Sequence, residues 1–318
     1  MTTNPRVPFR MIDDRPPLPG PDGRNLIVQV VVNVENWRFD QAMPRKLITA
    51  PHGNDSVPDV PNFAWAEYGM RVGMPRLFRV LGDRGLPVGC TINAGVIHTY
   101  PRLSDAILEA GWEFIGHGLH QKALTSESSE ADLIAQALGI LRDFTGRPVE
   151  GWLGPGLRET DDTPDILKAE GLRYVSDWVL DDVPNWMATR HGPLIAMPYS
   201  LEINDSPMYA IQAQPSDAML DRTRRSIAVM GREAAESGGA RVLTVALHPH
   251  LIGVAHRIDQ LAELLDLLMA RDDTVFMTGS QIADWYEAIE SPQAAGVVSD
   301  GPTHAKGHDR AAQRQHSA

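Results

Sequence analysis

The apolar positions of this chain follow two periods. Leu26–Val34 is an almost unbroken apolar run, the length and character of a strand buried on both faces. Further on, three segments share one order: a helical apolar pattern, a glycine, then a short apolar run. They are Leu77–Leu81 with Gly85 and Val88–Ile92; Ile107–Ala110 with Gly111 and Glu113–Ile115; and Ile166–Glu170 with Gly171 and Leu172–Val175. Each glycine suits the left-handed residue that closes a helix. Helix, glycine and strand repeated in series predict a parallel sheet. Further strands are expected at Val149–Leu153, Leu194–Met197, Val242–Leu247 and Thr274–Met277. Seven or eight strands with helices between them predict an α/β barrel rather than an open doubly wound sheet. No Gly-x-Gly-x-x-Gly follows the first strand and no P-loop is present, which argues against a dinucleotide or nucleoside triphosphate site.

The flanks read differently. Residues 1–25 hold Pro8, Pro16, Pro17, Pro19, Gly20, Pro21 and Gly23, the signature of an extended arm. Residues 291–318 are rich in Ala, Gly, His and Ser without an apolar period and are expected to be disordered. One domain is expected over 26–290. Within it, Trp37 to Tyr68 shows little periodicity and reads as a long loop of the kind that carries function. A chain of 318 residues that is 43% hydrophobic and 22% charged can bury a large core unaided.

A net charge of −12 argues against nucleic-acid and anionic-membrane partners, since both need clustered Lys and Arg. A small-molecule substrate is the expected partner. The single cysteine, Cys90, excludes an intrachain disulfide and a cysteine-based zinc knuckle. No apolar run follows Met1–Arg6, and no stretch approaches the ~20 apolar residues of a membrane span. A soluble cytoplasmic protein is the expectation, and the arm suggests a homo-oligomer in which it covers a neighbour.

Barrel chemistry collects just past the C-terminal strand ends. There stand Glu35, Asn36 and Trp37; Asn93; His117, His120 and Gln121; Trp152 to Gly156; Asp177 and Trp178; and His248 and His250. Glu35 closes an apolar run, where desolvation would raise its pKa toward that of a useful base; a helix cap or a surface ion pair is the plain alternative. His117 lies between Gly116 and Gly118, where backbone can approach a ligand. His248 ends an uncharged strand and suits an acid. Asp177 is a candidate to orient a histidine. His250 and His256 are ligand or surface histidines, and Trp152 and Trp178 are barrel packing or a substrate platform.

In this order and spacing the residues resemble the polysaccharide deacetylase (NodB-homology) superfamily, in its allantoinase-like and cyclic-imide-hydrolase-like branch. The carrying motifs are Asp14-Arg15-Pro16-Pro17, Val31–Glu35, Gly116-His117-Gly118, Gly151–Leu157, Ser176-Asp177-Trp178 with Asp181–Pro184, and Leu247–His250 with Gly253 and His256-Arg257. The resemblance spans residues 10–290. It implies a single-domain distorted (β/α)7-type barrel, related to the TIM barrel, and hydrolysis of carbon–nitrogen bonds other than peptide bonds.

The chain departs from the family pattern where a metal would sit. The family's first motif has two acids; here Asn33 and Asn36 flank Glu35 alone. The second histidine of a zinc triad is Gln121, with His120 displaced by one residue. Glu35, His117 and Gln121 would make a weak zinc site, since an amide is a poor neutral ligand. Members of the resembling branch work with and without metal, so a divalent ion, zinc foremost, stays open. Leu153 stands where sugar deacetylases often carry arginine, which favours a small cyclic amide, imide or ureide over a polymer.

The mechanism this implies has Glu35 take a proton from water, or polarise it through a bound metal that would also serve the oxyanion, and His248 give a proton to the leaving nitrogen, with Asp177 orienting a histidine. Backbone N–H groups near Gly154–Gly156 or Gly116 would receive the oxyanion. Trp152, Pro155, Trp178, Arg158, His250 and Arg257 would contact substrate, the arginines gripping a carboxylate or a second carbonyl. Two other readings stand beside it: deacetylation of an N-acetylated sugar or polysaccharide, and a non-catalytic ligand-binding protein, which Gln121 favours.

Overall fold

The computed structural model describes residues 2–50, 55–122 and 129–297. Strand β1 (Leu26–Val34) is buried along its whole length and is the axis of the sheet. It pairs in parallel with β8 (Arg241–Leu247) over Leu26–Val32. Its other edge is shared between β2 (Val88–Ile92) toward the C-terminal end and β9 (Thr274–Phe276) toward the N-terminal end. From β2 the sheet runs through β3 (Glu113–Gly116), β4 (Gly151–Trp152), β5 (Tyr174–Val175) and β7 (Leu194–Ala196), all in parallel. Strand β6 (Asn185–Met187) closes the path antiparallel to β7.

The sheet curls toward closure without a regular ladder between β7 and β8. An isolated Asn204–Ala246 bridge and the Thr244 hydroxyl on the Pro198 carbonyl (2.8 Å) span that seam. The result is a distorted β/α barrel. Of the expected strands, β4 and β5 are two residues each, and β6 carries no apolar alternation that would have marked it.

Helices α1 (Val60–Tyr68), α2 (Met74–Gly82), α3 (Gly95–Thr99), α4 (Pro101–Glu109), α5 (Glu130–Thr145), α6 (Thr163–Ala169), α7 (Ala218–Ser237), α8 (Ile258–Met269) and α9 (Gly279–Ile289) surround it. The helix–glycine–strand units form as the pattern requires: Gly85, Gly111 and Gly171 all have positive φ. Helix α1 corrects the expectation that Trp37–Tyr68 is all loop. The Asp59 carboxylate accepts from the Asn62 amide and Pro61 sits in the first turn, so the loop ends at a capped helix start.

The arm lies against its own barrel. Arg6 pairs with Asp165 at 2.8 Å, and buried Arg15 reaches Glu290 at 2.8 Å and Asp181 at 3.2 Å. Trp285 donates to the Pro19 carbonyl at 3.0 Å. Val297 is buried; residues 298–318, where a disordered tail was expected, lie outside the described residues. No helix among the described residues is long and apolar enough to cross a membrane.

Candidate active site

The strand ends of β1, β2 and β3 are tied together by side chains. The Asn93 side-chain oxygen accepts from the Asn36 backbone N–H at 2.7 Å, and the Asn93 side-chain N–H donates to the His117 carbonyl. Gln121 is held by its backbone N–H on the Asn36 carbonyl at 3.0 Å, and His120 donates from Nδ1 to the Asn36 side chain at 2.9 Å. Beneath them Asn33 accepts from Thr91 (2.6 Å) and Tyr199 (3.0 Å) and donates to the Leu247 carbonyl (3.2 Å). Asn33 and Asn36 therefore brace the floor of the site.

Glu35 follows β1 directly and is 9% exposed. The Trp37 indole N–H donates to its Oε2 at 2.6 Å, and the His248 Nε2 faces its Oε1 at 3.5 Å. On the far side His248 donates from Nδ1 to Asp205 Oδ1 at 2.6 Å. Asp205 is wholly buried and also accepts the backbone N–H groups of His248 (2.6 Å) and Ile252 (3.2 Å). Asp205, His248 and Glu35 thus form one buried chain.

The charges follow from the geometry. Burial penalises the Glu35 carboxylate, but the His248 imidazolium outweighs that and lowers its pKa to about 2. Burial likewise opposes charge on His248, yet the Asp205 and Glu35 carboxylates raise its pKa to about 9. The resting state near neutrality is an ion pair, with Glu35 ionised and His248 carrying both ring protons. The expectation of a raised Glu35 pKa is corrected here: desolvation acts in the predicted direction, and the facing cation reverses the sum.

His250 stands apart in charge. Burial lowers its pKa to about 3, so it is neutral. It packs edge-on against Trp65 (4.6 Å between centroids) and Trp37 (5.5 Å). Gly69 explains how the helix comes so close: a Cβ there would stand 2.5 Å from the His250 backbone nitrogen. His117 is also neutral by burial. Its Nδ1 proton points to the Leu153 carbonyl, which leaves the Nε2 lone pair buried without a partner. The Gln121 Oε1 is a second buried acceptor without a partner.

Those donors fit a metal poorly. Glu35 already has a hydrogen-bond donor on one oxygen and an imidazolium at the other. That leaves one imidazole lone pair and one neutral amide oxygen, and no group of three or more His, Cys, Asp or Glu suited to a metal stands among the described residues. The Gln121 side chain lies within hydrogen-bond reach of His117 and lines the cleft.

The other expected site residues divide. Pro155, Arg158, Gln121 and His250 line, with Glu35 and His248, an open cleft of about 700 Å³. Trp152 does not: it is fully buried and packs where a Gly116 side chain would be, 2.6 Å from the place of its Cβ. Asp177 orients no histidine. Both its oxygens accept from the Gly154 N–H (2.8 and 2.9 Å), which also removes that N–H as an oxyanion donor. Burial and the neighbouring Glu159 raise the Asp177 pKa well above the usual range, and burial raises that of Glu159. The two acids lie side by side, and burial favours the protonated form of Asp177. Trp178 donates to Glu159 at 2.7 Å and supports this pair rather than the cleft. Arg257 stacks on Tyr209 at 4.0 Å and donates to the Leu251 carbonyl, away from the cleft lining, and His256 is exposed. Asp205 and Trp37 are the functional groups to which the sequence reading gave no role. An acid in Asn204-Asp205-Ser206-Pro207 was a turn signal, but nothing in the pattern tied it to His248.

Residues 66–175 match the family model of polysaccharide deacetylases. A Schizosaccharomyces pombe protein described as a polysaccharide deacetylase is 25% identical over 298 residues, covering 85% of this chain and 92% of that one. A Helicobacter pylori peptidoglycan deacetylase is 25% identical over 156 residues, 48% of this chain and 52% of its own length. Among solved structures, a Pseudomonas aeruginosa PAO1 protein described as a polysaccharide deacetylase superposes with a TM-score of 0.79 at 23% identity, covering 87% and 95% of the two chains. The PuuE allantoinase does so with 0.77 at 23%, covering 86% and 94%. Residues 66–175 thus resemble a polysaccharide deacetylase domain, and the distorted barrel is the fold of both solved structures.

Proposed function

We infer that this protein is a hydrolase of carbon–nitrogen bonds other than peptide bonds, acting on a small cyclic amide, imide or ureide. The observation that carries the chemistry is the buried Asp205–His248–Glu35 chain at the floor of the cleft. Water adds to the ring carbonyl carbon while Glu35 takes its proton. The imidazolium of His248 faces the developing oxyanion and then gives its Nε2 proton to the leaving nitrogen as the C–N bond breaks. The proton on Glu35 returns to His248, and the ring opens to a carboxylic acid and the freed nitrogen, as an amine from an amide, a carboxamide from an imide or a urea from a ureide. Asp205 holds His248 charged until it gives its proton to the leaving nitrogen, and favours its reprotonation afterwards. The neutral Gln121 amide in the cleft lining suits the N–H and carbonyl groups of a ring amide. No step in this scheme passes through a metal, because the donor set fits one poorly.

The alternative, deacetylation of an N-acetylated sugar, is favoured by the family match and by the names of the two sequence relatives. A cytoplasmic location and a homo-oligomer remain parts of this proposal. The test is a hydrolysis panel on the full chain, setting succinimide, hydantoin and allantoin against N-acetylglucosamine oligomers, with chelator-treated and zinc-supplemented samples alongside. Ring opening that survives chelation is the expected result. Acetate release from the sugars alone would overturn the ring substrate, and activity restored only by zinc would overturn the metal-free scheme.

A further inference from the structure

The cleft is charged against the sense of the whole chain. With a net charge of −12, the protein brings three cations to one opening from three different loops: Arg45, Lys122 and Arg158. Arg45 comes from the loop after β1, Lys122 from the segment after β3, and Arg158 from the turn after β4. None forms an ion pair with an acid among the described residues. Arg45 makes only a 3.5 Å contact to the Ser206 carbonyl, and it lies close enough to His250 to act on its charge.

The acids of the same cleft are already matched. Asp40 is bound by both arms of Arg38, at 2.6 and 3.0 Å. Glu35 faces His248. Three positive charges are therefore left over, above a floor whose Asp205, His248 and Glu35 carry one net negative charge, so the opening keeps an excess of two positive charges. A guanidinium presents a fork of donors that fits a carboxylate, and a lysine adds a point charge. A neutral ring would leave all three unmatched.

We propose that the cleft selects a substrate bearing a carboxylate apart from the bond it hydrolyses, bound by Arg45, Lys122 and Arg158. This rests on the ring-hydrolase reading and narrows it to an anionic ring amide. It also places the reaction: the product is a dicarboxylate that also carries the freed amine, carboxamide or carbamoyl group, so a step that takes up such open-chain diacids must follow.

The test compares hydantoin-5-acetate with hydantoin as substrates, and succinate with succinamide as ligands by titration calorimetry. The calorimetric pair differs in charge at similar size and needs no turnover. The expected kcat/KM ratio of charged to neutral ring is about tenfold at low salt, falling toward one as salt shortens the screening length. Arg158→Gln and Arg45→Gln are each expected to lower that ratio several-fold; a merely structural role would lower both substrates together and leave the ratio fixed. Succinate is expected to bind and succinamide not. Turnover of the neutral ring as good as the charged one, with succinate no better than succinamide, overturns the carboxylate site but leaves ring hydrolysis standing. Succinate binding lost in Arg158→Gln, with neither ring turned over, keeps the anion site and removes the hydrolase reading.

Discussion

Asp205 offers the sharpest test of the site. The imidazole of His248 would ordinarily titrate at 6.5, and in the folded chain it is raised to about 9 against the cost of burial. Each pKa unit corresponds to about 1.4 kcal/mol, so the surroundings favour the imidazolium by roughly 3 kcal/mol. Two carboxylates supply this: Asp205 in a 2.6 Å hydrogen bond and Glu35 at 3.5 Å. In Asp205→Asn the amide oxygen can still accept the backbone N–H groups of His248 and Ile252, so the loop keeps its shape. The charge is lost, and burial pulls His248 back to about 6.5 or below. Near pH 8 the protonated fraction falls from about nine-tenths to about three-hundredths, a loss of about 30-fold in rate, whereas near pH 6 the loss is under twofold. The assay is kcat/KM against pH with whichever ring substrate the panel identifies. The alkaline limb is expected near 9 in the parent and two or more units lower in the variant. An unmoved limb, or a uniform drop at every pH, would refute the assignment of His248 as the charged acid.

Trp37→Phe removes the donor on Glu35 Oε2 and leaves that buried oxygen unmatched. Hydrogen bonds to charged groups contribute about 1.5–3 kcal/mol; the Glu35 pKa should rise by one or two units, and the acid limb of kcat/KM should move up with it. Asp177→Asn replaces a neutral acid by its isostere and should leave activity and Tm close to the parent, while Asp177→Ala frees the Gly154 N–H and should cost about 1–3 kcal/mol in denaturant unfolding. If the Asn variant is as inactive as a lost catalytic base, the structural role of Asp177 is wrong. The ion pair also fixes the sign of stability against pH: the His248 contribution is complete below about 6.5 and is lost as pH rises through about 9, and the Glu35 contribution is complete above about 4.5 and is lost as pH falls toward 2. Glu35→Gln should flatten the acid side of a Tm-versus-pH curve, and an unchanged curve would remove the pair from the stability of the fold.

How much of this was legible from sequence depends on how the information is carried. Strands β1, β2 and β8 were legible because long apolar runs record burial residue by residue. The glycines before β2, β3 and β5 were legible because a positive φ restricts residue type. Strand β6 was not, since Asn185-Trp186-Met187 has neither length nor alternation and pairs antiparallel only because the chain turns back after Pro184. At the site, Glu35 and His248 were found because each directly follows a recognisable strand. Asp205 follows an irregular segment that joins the sheet at a single bridge, so no period pointed to it. Asp177 sits at a strand end and has the right chemistry to orient a histidine; only the fold shows that its reach ends at Gly154. Side-chain partnership across loops is a matter of ångströms, which spacing in sequence does not encode.

The resting charges put a condition on the chemistry. A carboxylate whose pKa is about 2 accepts a proton poorly, so Glu35 cannot act as base while it faces the imidazolium. The separation of Oε1 from Nε2, 3.5 Å, is long for a strong hydrogen bond, and both groups line the open cleft. A carbonyl oxygen that enters between them takes the His248 proton as its own hydrogen bond and draws the cation off Glu35. What remains on Glu35 is burial, which acts to raise its pKa, and the Trp37 hydrogen bond, which holds it in place. In the proposed mechanism, substrate binding thus turns a weak base into a competent one at the moment a carbonyl is present. Water in the cleft before that point meets a satisfied ion pair, so in this mechanism the base is supplied only by the group to be hydrolysed.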